Sequence, residues 1–199
     1  MKKIQEAVDR INAQGGIAVS GRLDDGRINS LDDEATLIAD LISIYGEDDI
    51  VEPRAREWFD VRMFGEPVQI KSTRLQGSDN FSSKPGLLYA FTDMTEDEIT
   101  DLGNGWASFE VALATNKADI DRDYHIIVID KNTGMIHLTS LKRLRVLTPN
   151  GNNLLFQVPW KKNLEPQDNT FDEAWDMVVG TYKKSVMKKV SVHSNINML

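Results

Sequence analysis

Residues 58–73 read Trp-Phe-Asp-Val-Arg-Met-Phe-Gly-Glu-Pro-Val-Gln-Ile-Lys-Ser-Thr. Two runs of β-forming residues alternate apolar and polar around a single glycine, which is the pattern of a hairpin. With Gly65-Glu66 as the turn, Phe64 faces Pro67, Arg62 faces Gln69 and Asp60 faces Lys71. Side chains alternate along a strand, and opposed residues share a face. One face therefore carries Phe59, Val61, Met63, Val68 and Ile70 and calls for burial. The other carries Asp60, Arg62, Gln69 and Lys71. A one-residue slip would turn Lys71 into the core without a partner, so the register is strongly specified.

The polar face has a chemistry. Mg²⁺ takes oxygen ligands, and Asp60 offers a charged one and Gln69 a neutral one. A metal so held polarises a phosphate and helps ionise a water. Lys71 can orient that water or offset charge growing on the phosphate. The plainer alternative is a solvent-facing strand pair with an Asp–Lys contact worth about 0.2–1 kcal/mol.

Upstream of the hairpin, Ile4, Val8 and Ile11 give a short amphipathic helix over 2–13. A glycine-bearing stretch over 15–29 follows, with a short strand expected at Ile17–Val19. Ser30 is placed to cap a helix over Leu31–Tyr45, and Gly46 to end it. Glu34 lies one turn before Leu37 and Ile38, at the end of the apolar face, where it can look toward a sheet edge. An acidic first turn favoured by the helix dipole would account for Asp32, Asp33 and Glu34 equally well. Ile50–Glu52 begins the strand-rich block. Downstream of the hairpin, 74–86 reads as loop and Leu87–Phe91 as a strand. Thr95 reads as a helix cap, and Trp106–Lys117 as a helix. Tyr124–Asp130 is the most apolar strand, returning through Asn132-Thr133-Gly134 into Met135–Ser140. Strands at Leu144–Thr148 and Leu154–Trp160 flank a Pro-Asn-Gly-Asn-Asn turn, and Phe171–Val190 is a helix with a basic end. This order predicts an α/β protein with a central mixed β-sheet flanked by helices. It is read as one domain over 1–199, with a catalytic core of about 30–140 and a basic part, 141–199, for DNA binding or dimerisation.

The 199 residues are 41% hydrophobic and 27% charged, enough for a real core in a soluble chain. There is no cysteine, which excludes a disulfide scaffold, a zinc–thiolate site and a cysteine nucleophile. No apolar run is long enough to span a bilayer and no secretory signal is present, so the expected location is cytoplasmic, away from membranes. Phosphate-loop, dinucleotide and nucleophile-elbow motifs are missing as well. The net charge of −8 is unevenly spread. Residues 131–199 hold 10 Lys and Arg against 5 Asp and Glu, while 1–130 hold 13 against 26. Such a split suits polyanion binding by one region and metal binding by the other.

A helix with Glu34, a strand with Asp60 and an adjacent strand with Gln69-Ile70-Lys71 form a specific order. Over residues 30–73, and more loosely to about 140, the chain resembles the PD-(D/E)xK nuclease superfamily. That group includes type II restriction endonucleases, junction resolvases and Mrr-like nucleases. Phe59 precedes Asp60 where the family motif has proline. Gln69 stands where an acid is usual, as in the Mrr-like branch, which raises the value of Glu34 as a further ligand. The resemblance implies a restriction-endonuclease-like core with Asp60, Gln69, Lys71 and Glu34 as catalytic residues. Asp60, Gln69 and Glu34 would hold Mg²⁺. The implied activity is Mg²⁺-dependent cleavage of double-stranded DNA, most simply as a homodimeric type II restriction enzyme. The rivals are a structure-specific junction or repair nuclease, and a DNA-binding protein that keeps the fold without the chemistry. Candidate DNA contacts are Arg74 and Lys84 around the polar loop, Lys142, Arg143 and Arg145, and Lys161 and Lys162. The lysines at 183, 184, 188 and 189 form the densest basic stretch.

Overall fold

The computed structural model describes residues 1–20, 26–55, 57–152 and 155–196. The chain forms two compact units. The first comprises 1–76 and 124–140, and the second 77–123 and 141–199.

The first unit is built on a five-stranded mixed sheet in the order β1-β2-β3-β5-β6. Its strands are β1 (Ile50–Val51), β2 (Val61–Met63), β3 (Glu66–Thr73), β5 (His125–Asp130) and β6 (Ile136–Ser140). β3 and β5 run parallel, from Val68↔His125 to Thr73↔Asp130, and the other pairs are antiparallel. A parallel pair needs a long crossover, and residues 74–124 supply it. Helices α1 (Lys2–Ala13) and α2 (Gly26–Tyr45) bury Ile4, Val8, Ile11, Leu37 and Leu41 against Val61, Met63, Val68, Ile70, Ile127 and Ile129. The apolar face of the hairpin is thus in the core, as the alternation requires. At the sheet's β6 edge, the Asn12 side chain donates to Ile136 O at 2.8 Å and accepts from Ile136 N at 2.9 Å, supplying one rung where no strand follows among the described residues.

The hairpin turn differs from the expectation. Met63 pairs with Glu66 and Val61 with Val68, so Phe64 and Gly65 are the turn residues. Both have positive φ, 53° and 88°, the signature of the two-residue turn whose twist suits a hairpin. A left-handed phenylalanine costs about 1–2 kcal/mol. Its packing offsets this: the ring sits edge-on to Tyr45 at 5.3 Å and the Phe64 N–H donates to Asp49 O at 2.7 Å. The pairing moves by two residues, an even shift, so every side chain keeps its face. Asp60 no longer faces Lys71; it comes beside Gln69.

Other expectations also change. α2 starts at Gly26, so Ser30 is inside the helix rather than its cap, and Glu34 is more than two turns from the start. The helix-dipole account of Asp33 and Glu34 therefore fails. Residues 17–19 are irregular, and Ile17 N bonds to Gly134 O.

The second unit holds β4 (Asp79–Phe81), α3 (Lys84–Phe91), α4 (Glu96–Asp101), α5 (Trp106–Thr115), β7 (Thr148–Pro149), β8 (Phe156–Val158) and α6 (Phe171–Ile196). Its sheet has the order β4-β8-β7. Leu87–Phe91 is helical, not a strand, because Ser83 caps the Gly86 N–H at 3.1 Å and Pro85 fits the first turn. Thr95 is the expected cap, within a full capping box on α4. Residues 144–147 form no strand. Asn163 Oδ1 takes the Arg145 and Val146 N–H groups, and Asn169 Nδ2 reaches the carbonyls of Lys142 and Leu144. Side-chain amides have displaced the ladder there. Leu154, the expected start of the next strand, lies outside the described residues. Among the described residues no helix is long and apolar enough to cross a membrane.

Candidate active site

Asp60 sits in the bend before β2. Its N–H donates to Val68 O at 3.0 Å. Its Oδ2 accepts from Ile70 N at 2.7 Å and from the Gln69 side-chain amide. Since β2 begins only at Val61, the carboxylate occupies the place where a longer strand would offer a carbonyl to Ile70. A strand N–H points along the sheet, so the carboxylate stands in the sheet plane, open to groups from either face. Oδ1 makes no hydrogen bond among the described residues.

Gln69 is held at both ends: its Nε2 donates to Asp60, and its Oε1 accepts from the buried Tyr124 hydroxyl at 3.2 Å. Tyr124 shares that proton with Trp58 O at 3.1 Å and packs its ring 5.6 Å from that of Trp58. Gln69 therefore shows Asp60 its amide N–H, and only a half-turn of the amide would present its oxygen to a metal beside Asp60. Lys71, two residues on and on the same face, is half-buried. Its ammonium makes no hydrogen bond or ion pair among the described residues, yet its charge acts on both Asp60 and Glu34.

Glu34 is half-buried on α2. Its carboxyl is pushed up to about 7, first by burial, then by the charge of Asp60 and by Asp33, with Lys71 and Lys131 pulling the other way. Burial also raises Asp60, against the pull of the Ile70 N–H, Gln69 and Lys71. Two carboxylates, each disfavoured as an anion, thus share the Lys71 ammonium, which balances only part of their charge.

Asp33, next in sequence to Glu34, is fully buried. Its Oδ1 accepts from Ser20 N at 2.6 Å and Ser20 Oγ at 3.1 Å. Its Oδ2 accepts from Ser72 Oγ at 2.6 Å and pairs with Lys131 Nζ at 3.5 Å, which also donates to Ser30 Oγ at 3.0 Å. This network ties α2 to β3 and to the turn after β5. Sequence reasoning missed it, although Asp33, Leu37 and Leu41 share an i, i+4, i+8 stripe, and a carboxylate on a buried stripe must be paired. Ser72 and Thr73, which follow Lys71 in the motif segment, are buried on β3.

The structure thus brings Glu34, Asp60, Gln69 and Lys71 together. Arg74 is exposed just past β3 in the same unit. The other six candidate cations belong to the second unit. Lys84 donates to Asn104 O and lies 4.4 Å from the Trp106 ring centre. Lys142 donates to Ile120 O at 2.9 Å, Arg143 pairs with Asp168 at 2.7 Å and Arg145 with Glu165 at 3.2 Å. Lys161 and Lys162 are exposed on a 3₁₀ turn with no partner among the described residues.

No family model matches this sequence, and no curated protein matches it.

Proposed function

We propose that Glu34, Asp60 and Lys71 form the centre of a Mg²⁺-dependent endodeoxyribonuclease of the PD-(D/E)xK kind, cutting double-stranded DNA as type II restriction enzymes do. The observation that carries the reading is the Asp60 carboxylate, fixed by Ile70 N–H through Oδ2, beside a lysine whose ammonium, like Asp60 Oδ1, makes no hydrogen bond or ion pair among the described residues. The order of elements bearing Glu34, Asp60 and Gln69-Ile70-Lys71, and the mixed sheet they sit on, support it.

The donor set fits Mg²⁺. Among the described residues no three or more His, Cys, Asp or Glu side chains group to enclose a metal, but Mg²⁺ keeps several waters and is commonly held by one or two carboxylates. Asp60 Oδ1 and Glu34 would supply those two. Gln69 serves first as the brace that aims Asp60, and joins as a ligand only with its amide turned. When bound, the ion supplies positive charge to the phosphate and acidity to a water. Glu34, whose carboxyl is pushed up to about 7, would have to be ionised to hold it. Lys71, which has donors and no acceptor, meets the negative charge that builds on the phosphate as the P–O bond to water forms and the bond to the leaving oxygen breaks.

Plasmid DNA incubated with the protein and Mg²⁺ tests this. Cleavage is expected with Mg²⁺, none in EDTA, and none from Asp60→Ala. Cutting that persists in EDTA, or a Lys71→Ala protein that cuts at the normal rate, would refute the assignment.

A further inference from the structure

The second unit carries a group of amide side chains that the chemistry above leaves unused. Across its small sheet, Asn80 of β4 pairs with Gln157 of β8, and Gln157 with Thr148 of β7. Opposed residues share a face, so these three form one row. The rows on either side put Phe81, Phe156 and Val158 on the opposite face, buried. Asn80 and Thr148 are exposed and Gln157 is half-exposed.

The amides are fixed in orientation. Asn80 Oδ1 accepts from Asn150 Nδ2 at 2.8 Å and from Gln157 Nε2 at 3.3 Å. Asn150 is buried, and its N–H is held by Ser185 Oγ of α6 at 2.9 Å. With the Asn80 oxygen doubly occupied, Asn80 shows its amide hydrogens outward. With its nitrogen on Asn80, Gln157 shows its Oε1. The outward face thus presents a donor beside an acceptor, held by bonds to a buried residue. The same turn sits on the basic helix: a side-chain carbon at Gly151 would lie 3.0 Å from Lys188 Cγ. Lys184 and Lys188, one turn apart and exposed, therefore flank the sheet at that end.

A donor next to an acceptor is the pattern that reads adenine, through N7 and the N6 amino group, in the major groove. That groove is about 12 Å wide and accepts a two-stranded ribbon, whose strands lie about 4.8 Å apart. Lysines beside such a ribbon meet phosphates. We propose that the outward face of β4 and β8 docks in the major groove of double-stranded DNA and selects adenine through Asn80 and Gln157, with Lys184 and Lys188 on the backbone. The choice of duplex DNA as partner rests on the nuclease reading.

Binding in EDTA separates the two ideas, because it needs no cleavage. Duplexes selected from a randomised pool by the wild-type protein should share a fixed adenine. Gln157→Ala should relax that position by about tenfold or more. Asn80→Asp keeps the oxygen that Asn150 and Gln157 bond to, so the fold is retained, while the outward donor becomes an acceptor; adenine should be lost there and cytosine gained. Lys184→Ala and Lys188→Ala should weaken all sequences alike and lower the salt slope by about one each. An unchanged selected sequence in both amide variants, or no base preference in the wild type, overturns the inference even if the protein cuts DNA. Binding with the expected preference but no cleavage under Mg²⁺ leaves it standing and removes the nuclease reading. Failure to bind duplex DNA at all refutes both.

Discussion

Two aspartates in the first unit meet the same strand with opposite outcomes. Asp33 reaches Ser72 on β3 from α2, and both its oxygens are taken, by Ser20, Ser72 and Lys131. Asp60 reaches Ile70 and Gln69 on β3 through Oδ2 alone, and the lysine nearest to it in the motif pairs with nothing among the described residues. A buried carboxylate with every lone pair answered is structure. One that burial disfavours, half answered among the described residues and beside an ammonium with no partner among them, is the pattern of the proposed site. The contrast distinguishes scaffold from site although both lie in the same few residues of sequence.

The largest effect should fall on activity. Asp60→Asn keeps an oxygen for Ile70 N–H but removes the charge, and cleavage of plasmid DNA should drop by about a thousandfold or more, a loss of about 4 kcal/mol in barrier terms. Lys71→Ala should cost about a hundred- to a thousandfold, with duplex binding in EDTA kept. Asp33→Asn, compared at a temperature where it is folded, should retain most of the rate. If Asp33→Asn is as inactive as Asp60→Asn, the division between scaffold and site fails.

The second effect is on stability, and the two aspartates should differ in sign. Asp33→Asn removes the buried charge that pairs with Lys131 at 3.5 Å and should cost about 3–5 kcal/mol in urea unfolding. Asp60 has a raised carboxyl, so its ionised form opposes folding, and Asp60→Asn should be as stable as wild type or more so near neutral pH. Equal destabilisation by both would show that Asp60 is a structural carboxylate too.

Which parts of this were legible follows from the range of the forces involved. The sorting of 59–63 and 68–70 into two faces is local alternation, and it placed Lys71 and Gln69 on one face whichever turn was chosen. The turn itself depended on Phe64 finding Tyr45, a contact across the fold, and so was misjudged. Glu34 was singled out from its place before Leu37 and Ile38, while Asp33 was open to a helix-end reading because a polar stretch hides the helix start at Gly26. Arg143 and Arg145 read as free cations because their partners, Asp168 and Glu165, are more than a dozen residues away. The loss of a strand at 144–147 likewise rests on Asn163 and Asn169, whose amides carry no signal at the segment they hold.

The third effect is a pH dependence. Glu34 is raised from an ordinary 4.5 to about 7 in the folded chain. Its contribution to stability is therefore fully present below about 4.5 and is lost as the pH rises through about 7. Without metal, the melting temperature of wild type relative to Glu34→Gln should fall across that window. Metal binding should run the other way, since it needs the ionised form and releases a proton. The Mg²⁺ concentration for half-maximal cleavage should fall as pH rises through about 7, and Glu34→Gln should need about tenfold more Mg²⁺ with little pH dependence. A variant with an unchanged metal titration would return Glu34 to the scaffold, beside Asp33.

The smallest effect, and the finest test of the contrast, is Gln69→Glu. In the wild type the Gln69 amide donates to Asp60 and its oxygen is held by Tyr124, so this residue sits between the two categories: it braces Asp60 and is one amide turn from being a ligand. Replacing the nitrogen by oxygen removes the brace and puts a second carboxylate against Asp60. Without metal the like charges should raise both carboxyls further and destabilise the fold at high pH. With Mg²⁺ the added anion should be drawn to the ion, so the rate at saturating metal should stay within about tenfold of wild type, while the metal dependence becomes steeper in pH. Stabilisation by Mg²⁺, measured as the rise in melting temperature between EDTA and excess ion, should be larger than in the wild type, because ligand binding stabilises in proportion to its affinity for the folded state alone. A smaller rise, with loss of cleavage, would mean that the Gln69 N–H groups are needed on Asp60 throughout, and that the residue belongs wholly to the scaffold.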